Sequence, residues 1–103
     1  NLTRAAVIYN HRSVIESRLV EWLGRAYKEH GEELGKMSGA AAATGEGEWT
    51  VKTAQQFKVP TPVIAAAFKF RVASARHPSY IGKILTALRN QFGGHSTRKK
   101  YLR

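Results

Sequence analysis

Apolar residues recur with helical spacing along the first thirty residues of the chain. The residues on this face are Ile8, Ile15, Leu19, Trp22, Leu23 and Ala26. Asn1 or Thr3 can cap the start of such a helix because their side-chain oxygens accept a backbone N–H. Gly24 weakens the pattern and Gly31 ends it. The pattern therefore predicts one amphipathic helix over about residues 2–30.

Two more helices are predicted after a glycine-rich loop. The stretch 35–48, GKMSGAAAATGEGE, has the small residues typical of a loop. A short helix is predicted over about residues 49–58, ending before the breaker VPTP. In that breaker Thr61 can cap a further helix, with Pro62 in its first position. This helix is predicted to extend to about residue 75.

The last helix is predicted between Ser79, which can cap its start, and Phe92. Gly93 or Gly94 can supply the left-handed residue that commonly ends a helix. The residues expected to face inward are Tyr80, Ile81, Ile84, Leu85, Leu88 and Phe92, and the preceding helix carries the stripe Ile64, Ala67, Phe68 and Val72. No segment alternates with period two, so the predicted fold is all-α with four or five helices.

Composition excludes several classes of protein. The 103 residues suffice for one domain, and the 43% hydrophobic content is ordinary for a globular one. There is no cysteine, hence no disulfide framework and no thiolate site. No run of about 18 apolar residues could span a membrane. The chain begins with neither a signal peptide nor an initiator Met, which suggests a processed chain or a fragment, and a cytoplasmic location fits.

The chain carries a formal net charge of +10, which favours an anionic partner or a phosphorylated ligand. Four of the 17 lysine and arginine residues lie in the terminal stretch 98–103, RKKYLR. We assign residues 1–97 to the domain and residues 98–103 to a basic tail. The simplest interpretation of the tail is a solvated terminus.

Arg71 lies on the apolar stripe of its helix, at helical spacing from Ile64, Ala67 and Phe68. A guanidinium in that position needs a partner, because burying an unpaired charge is costly. Two interpretations stay open. The side chain extends along the helix end to reach solvent, or it clamps a phosphate or carboxylate with its planar fork.

Arg89 and His95 flank the predicted end of the last helix, and together they would make a grip for an anion. Taken singly, Arg89 can complement the helix dipole and His95 can be solvated. His11 and Arg12, at the stripe of the first helix, are expected to pack in the core or at an interface. The four histidines have no metal-binding spacing, so no metal site is predicted. The sequence also lacks GxSxG, Walker and GxGxxG motifs.

Two longer stretches carry a family resemblance. GEGEWTVKTAQQFKVPTPVIAAAFKFR, followed by ILTALRNQFGGH, resembles the C-terminal helical domain of 6-phosphogluconate dehydrogenase, most closely its short form. The front, VIYNHRSVIESRL, is similar to the family's Trp, His-Gly-Ser-Val-Ile-Arg-Ser helix. The resemblance covers nearly the whole chain, and its motifs are specific in combination.

The resemblance implies a function. The family oxidatively decarboxylates 6-phosphogluconate to ribulose 5-phosphate with NADP or NAD, in the pentose phosphate pathway of gluconate utilization. Its helical domain forms much of the sugar-phosphate site and an intertwined dimer interface. Arg71 matches the family arginine that binds the substrate phosphate. Arg89 and His95 match the pair that reaches the neighbouring subunit's site.

The sequence departs from the family at several positions. Glu48 stands where the family usually has Lys or Arg, Glu16 where the short form has Arg, and Arg12 where it has Gly. Thr44 and Glu46 occupy positions where the long form places a Lys and a Thr near the phosphate. Thr44 is a weaker candidate for substrate binding, and Glu46 is not one.

The family's dinucleotide-binding Rossmann domain and its Lys-x-x-His-Asn … Glu segment have no counterpart in these residues. This chain is therefore expected to contain no catalytic and no cofactor-binding residue, and to be inactive alone. An alternative is a stand-alone basic module that binds nucleic acid or a ribonucleoprotein through its charge. Against it, no helix-turn-helix or aromatic-and-basic strand pattern is found.

Overall fold

The computed structural model describes residues 1–12, 16–43 and 45–94 of the chain. These residues form five helices and, within the described ranges, no strand. The helices are α1 (Leu2–Asn10), α2 (Arg18–His30), α3 (Glu46–Gln56), α4 (Pro62–Ser74) and α5 (Tyr80–Gly93). The predicted all-α class with four or five helices is confirmed. None of the helices in the described ranges is both long and apolar enough to cross a membrane.

The prediction of a single helix over residues 2–30 is wrong, because the segment divides into α1 and α2. The Asn10 side chain accepts a hydrogen bond from the backbone N–H of Ser17 at 2.6 Å. Ser17 in turn caps α2 by accepting from the N–H of Leu19. Arg12, with φ 53°, has a left-handed backbone that breaks helical continuity. In the resemblance described above, the short form has glycine at this position, the residue that adopts this conformation at least cost.

The predicted boundaries of the last two helices agree closely with the structure. Ser79 caps α5 by accepting from the N–H of Gly82 at 3.1 Å. Gly94 ends α5 in the left-handed conformation, with φ 66°. Helix α4 begins at Pro62 as predicted, although the Thr61 side chain makes no capping bond. Helix α3 begins at Glu46, a little before the expected start.

The core lies where α2 packs against α1 and α5. Its buried residues are Ala6, Ala26, Tyr27, Leu34, Met37 and Ala87, with Val20, Leu23 and Ile84 packed against them. Leu34 and Met37 come from the loop after α2, so that loop is part of the core. This arrangement fixes α5 and the loop relative to each other.

The face of α5 was predicted only in part. Ile84, Leu85 and Leu88 are partly buried as expected. Ile81 and Phe92, by contrast, are 59% and 70% exposed, so the prediction that they face inward is wrong. The Phe92 ring lies instead at the edge of the core, with its centroid 5.3 Å from that of Trp22.

Tyr80 is 39% exposed, and its hydroxyl has partners. It donates to the carbonyl oxygen of Glu32 at 2.6 Å and lies 3.0 Å from the hydroxyl of Tyr27. The Glu32 carboxylate accepts from the N–H of Thr3, and this bond, at the start of α1, lowers the pKa of Glu32. The loop after α2 is therefore tied to both α1 and α5.

Helices α3 and α4 pack against each other and leave an apolar face open. No residue of α3 is buried, and Ser74 is the one buried residue of α4. Among the described residues, Trp49 is 73% exposed, Phe57 74% and Val63 81%. Of the predicted stripe of α4, Ile64 and Val72 are 44% and 55% exposed, whereas Phe68 is partly buried, so the stripe is covered only in part. We call Trp49, Phe57 and Val63 the open apolar face.

His11 and Arg12 are exposed at the end of α1, so the expectation that they pack in the core is wrong. An interface role for them remains a prediction. The unusual Glu48 is paired within its own helix, where its carboxylate lies 2.6 Å from the Lys52 ammonium. Pairs of this spacing support helices, so this departure from the family has a local structural role.

Candidate functional site: two arginines on one carbonyl oxygen

Arg71 and Arg89 lie on different helices and meet at one backbone atom. The Arg71 Nη1 donates to the carbonyl oxygen of Ala42 at 2.6 Å. The Arg89 Nη1 donates to the same oxygen at 2.5 Å. The two residues are 18 positions apart in the sequence, so the fold brings together two predicted site residues. We call these two guanidinium groups and the Ala42 carbonyl the arginine site.

Each arginine is placed by a regular element. Arg71 lies in the last turn of α4, and Arg89 in the C-terminal half of α5. Helix α5 is fixed by its packing on α2, and the side chain of Gln91 donates to the Glu29 carboxylate of that helix at 2.8 Å. The arginine site therefore lies between a helix fixed by the core and a helix held by the loop.

The loop that carries Ala42 is fixed by small residues and hydroxyl groups. The Ser74 hydroxyl of α4 accepts from the N–H of Ala41 at 2.9 Å. The Thr86 hydroxyl of α5 donates to the carbonyl oxygen of Ser38 at 2.8 Å. Between these two points, the carbonyl oxygen of Gly39 accepts from the N–H of Ser79 at 3.2 Å. We call residues 38–42 the clamp loop.

The arginine site has the charge that an anion needs. Arg71 and Arg89 are partly buried as whole residues, their hydrogen bonds to Ala42 are exposed, and Ala42 is exposed, so the site is open to solvent. In the described part of the chain, ion pairs join Glu21 to Arg25 and Glu48 to Lys52. Neither arginine of the site takes part in these pairs. Two positive charges therefore meet where a neutral carbonyl is their common partner.

The guanidinium groups also have donors to spare. Each carries five N–H groups, and the contact with Ala42 uses one on each side. A carbonyl oxygen has two lone pairs, so it can accept from both arginines at once. The site can therefore offer several charge-assisted donors to a phosphate or carboxylate while the carbonyl holds the two side chains together. The anion clamp and the extension of Arg71 into solvent both remain predictions.

Two other predicted site residues lie outside the described residues. Thr44 follows Ala42 by two positions, and His95 comes directly after Gly94. The basic tail, residues 98–103, also lies outside them. Their proposed roles stay predictions. Arg89 meets Arg71 at Ala42 within one chain, and its expected reach to a neighbouring subunit's site stays a prediction.

The clamp loop itself was not predicted. Ala42 contributes a backbone atom, which has no signature in the sequence. Gly82 was the one available signal, because glycine inside a helix often marks a close approach of backbone. Within the described residues, no cluster of three His, Asp or Glu side chains could hold a metal ion.

Comparisons with known proteins agree with the predicted resemblance. The chain is 41% identical over 97 residues to "Putative 6-phosphogluconate dehydrogenase YqeC" of Bacillus subtilis. This match covers 94% of this chain and 32% of that protein. It is 31% identical over 100 residues to "6-phosphogluconate dehydrogenase, NAD(+)-dependent, decarboxylating" of Haloferax volcanii. This second match covers 97% of this chain and 33% of that protein. No protein-family model matches the chain.

The chain thus spans about a third of the length of the curated relatives it matches. Nearly all of its own residues are in the match, including the stretches that carry Arg71 and Arg89. A match of this extent is consistent with one domain of a longer enzyme. The predicted relationship to the 6-phosphogluconate dehydrogenases is confirmed.

Proposed function

Because this chain is a homologue of the 6-phosphogluconate dehydrogenases over nearly its whole length, we propose that it is the substrate-binding and dimerisation domain of such an enzyme. The observation that supports this most directly is the meeting of Arg71 and Arg89 at the carbonyl oxygen of Ala42. The substrate proposed for the site is 6-phosphogluconate. Both relatives are named as dehydrogenases, so they do not support the alternative function of nucleic-acid binding.

In this proposal the arginine site binds the phosphate group of the substrate. A phosphate has a charge between −1.5 and −2 near neutral pH and several acceptor oxygens, which match two guanidinium forks. A hydrogen bond between charged groups contributes about 1.5–3 kcal/mol. His95 and, more weakly, Thr44 are proposed to add further donors from the segments that adjoin Arg89 and Ala42.

The chemistry is assigned to the longer enzyme. In the proposed reaction, hydride leaves C3 of 6-phosphogluconate for NADP or NAD, and loss of CO2 then gives ribulose 5-phosphate. This sequence contains no GxGxxG motif, so the dinucleotide does not fit its residues and is assigned to another part of the protein. A cytoplasmic location and a place in the pentose phosphate pathway belong to the same proposal.

A binding experiment tests the proposal. The full-length protein that carries this chain would be titrated with 6-phosphogluconate and with gluconate by calorimetry. Gluconate lacks the phosphate, so we expect it to bind at least about tenfold more weakly, given the strength of charge-assisted hydrogen bonds. Equal affinity for the two ligands, or no binding of 6-phosphogluconate, would contradict the proposal.

We further propose that the open apolar face packs against a second copy of this chain. Large exposed apolar side chains commonly mark interfaces, and three of them, Trp49, Phe57 and Val63, are more than 70% exposed on the α3–α4 pair. In the proposed dimer, the open apolar face lies at the contact between subunits. In such an assembly the residues beyond Gly94 could reach the neighbouring site.

The test of the dimer is the substitution Val63→Asp. Val63 is the second residue of α4, where an acidic side chain favours the helix dipole, so the fold is expected to survive. We expect the mass measured by light scattering to fall to that of a monomer. The matched control is Leu19→Asp, an exposed second residue of α2, which should leave the dimer intact. A monomeric parent protein would overturn the dimer.

A further inference from the structure

Each arginine of the site is accompanied by a buried hydroxyl on the same helix. Ser74 follows Arg71 by three positions on α4, and Thr86 precedes Arg89 by three positions on α5. Residues three apart share a face of a helix. Ser74 is 2% exposed and Thr86 is 7% exposed. These two hydroxyl groups belong to neither the core nor the anion-binding groups described above.

The two hydroxyl groups hold the two ends of the clamp loop. The single O–H of Thr86 faces the carbonyl oxygen of Ser38, at the start of the loop, at 2.8 Å and that of Gly82, one turn earlier in α5, at 2.9 Å. The Ser74 hydroxyl accepts from Ala41, the residue before Ala42, and donates to the carbonyl oxygen of Arg71 itself at 2.7 Å. The hydroxyl oxygen of Ser74 thus links the backbone of Arg71 to Ala41, the residue before the common acceptor Ala42.

The position of the Ala42 carbonyl decides how far apart the two guanidinium groups lie. Like charges repel, so the two groups would separate if no common acceptor held them. An acceptor that moved with a mobile loop would not fix the distance between them. The entropy cost of ordering both side chains would then reduce the binding free energy, and affinity would fall.

We propose that Ser74 and Thr86 are positioning residues that fix the clamp loop and so set the spacing of Arg71 and Arg89 for a phosphate-bearing ligand. This inference rests on the proposed function, since it takes the phosphate of 6-phosphogluconate as the ligand. Neither hydroxyl touches the ligand. Both act through the Ala42 carbonyl.

The experiment compares hydroxyl-free variants of the full-length protein, Ser74→Ala and Thr86→Val. The readout is the preference for 6-phosphogluconate over gluconate, taken as the ratio of their dissociation constants. We expect each variant to reduce this preference about five- to tenfold, the effect of one lost hydrogen bond. Thr86→Ser keeps the hydroxyl and should stay within about twofold of the parent protein.

A control separates positioning from general loss of stability. Tyr80→Phe also removes a hydroxyl from α5, but its partners are Tyr27 and Glu32, away from the clamp loop. It should leave the phosphate preference unchanged. If Ser74→Ala and Thr86→Val keep the preference of the parent while Arg71→Ala loses it, positioning is overturned and the proposed function stands. If the parent protein shows no preference, the proposed function itself fails.

Discussion

Replacing Arg71 with alanine is expected to weaken binding of 6-phosphogluconate by the full-length protein about 10- to 100-fold. The substitution removes one of the two guanidinium groups that meet at Ala42 and leaves Arg89 without its neighbour. Binding of gluconate should change little, because the lost interaction is with the phosphate. Arg71→Lys should recover part of the loss, since lysine keeps the charge but not the two-pronged geometry. Calorimetric titration with both ligands measures these differences.

Arg76→Ala is the matched control for this prediction. Arg76 is exposed just beyond α4, so its removal lowers the net charge equally without touching the arginine site. If Arg76→Ala and Arg71→Ala weaken binding to the same extent, the effect is one of overall charge and the site is wrongly assigned. The double variant Arg71→Ala, Arg89→Ala should lose less than the sum of the single effects, because both residues share one acceptor and one ligand.

Local signals in the sequence located helix ends better than periodicity located helices. The Ser79 cap and the Gly94 end of α5 were predicted, because each depends on a few neighbouring atoms. The division between α1 and α2 was not predicted, although the side chain of Asn10 bonds the Ser17 N–H and that of Ser17 caps α2. The seven-residue spacing of Ile8, Ile15 and Trp22 suggested one continuous face instead.

Periodicity also cannot say what covers an apolar face. Ile8 and Ile81 have helical spacing with their neighbours, yet they are 61% and 59% exposed in the chain. Ile64 and Val72 of the predicted α4 stripe are similar cases, at 44% and 55% exposed. A stripe that packs on the same chain and a stripe that packs on a second chain have the same pattern. The sequence therefore predicted the all-α class correctly, but it merged α1 with α2 and placed too many apolar residues in the core.

The arginine site was predicted residue by residue, but its arrangement was not. The resemblance assigned Arg71 and Arg89 to substrate binding, and it assigned Arg89 to a neighbouring subunit's site. Their common acceptor is a backbone oxygen in an alanine run, and no side chain distinguishes Ala42 from the alanines beside it. Tertiary structure alone identifies it. The hydroxyls of Ser74 and Thr86 could be recognised only once the clamp loop was placed between α4 and α5.

The closest contact in the clamp loop gives the prediction with the largest effect on stability. A Cβ atom added at Gly82 would lie 1.8 Å from the carbonyl oxygen of Gly39 and 2.6 Å from its carbonyl carbon. Both are backbone atoms, so no side chain can rotate away to make room. Gly82→Ala must therefore separate α5 from the clamp loop, which strains the bonds made by Ser79 and Thr86. We expect the free energy of unfolding to fall by about 3 kcal/mol or more.

Gly47→Ala is the control for Gly82→Ala, because it adds the same methyl group to a helical glycine with open space. The nearest atom to a Cβ at Gly47 would be Cδ1 of Phe68, at 4.0 Å. Alanine is the better helix former, so this variant should be neutral or more stable by up to about 1 kcal/mol. Urea unfolding followed by circular dichroism gives both values. Equal stability of the two variants would mean that α5 and the clamp loop do not touch. In that case the Ala42 carbonyl would have no fixed position from which to hold Arg71 and Arg89 together.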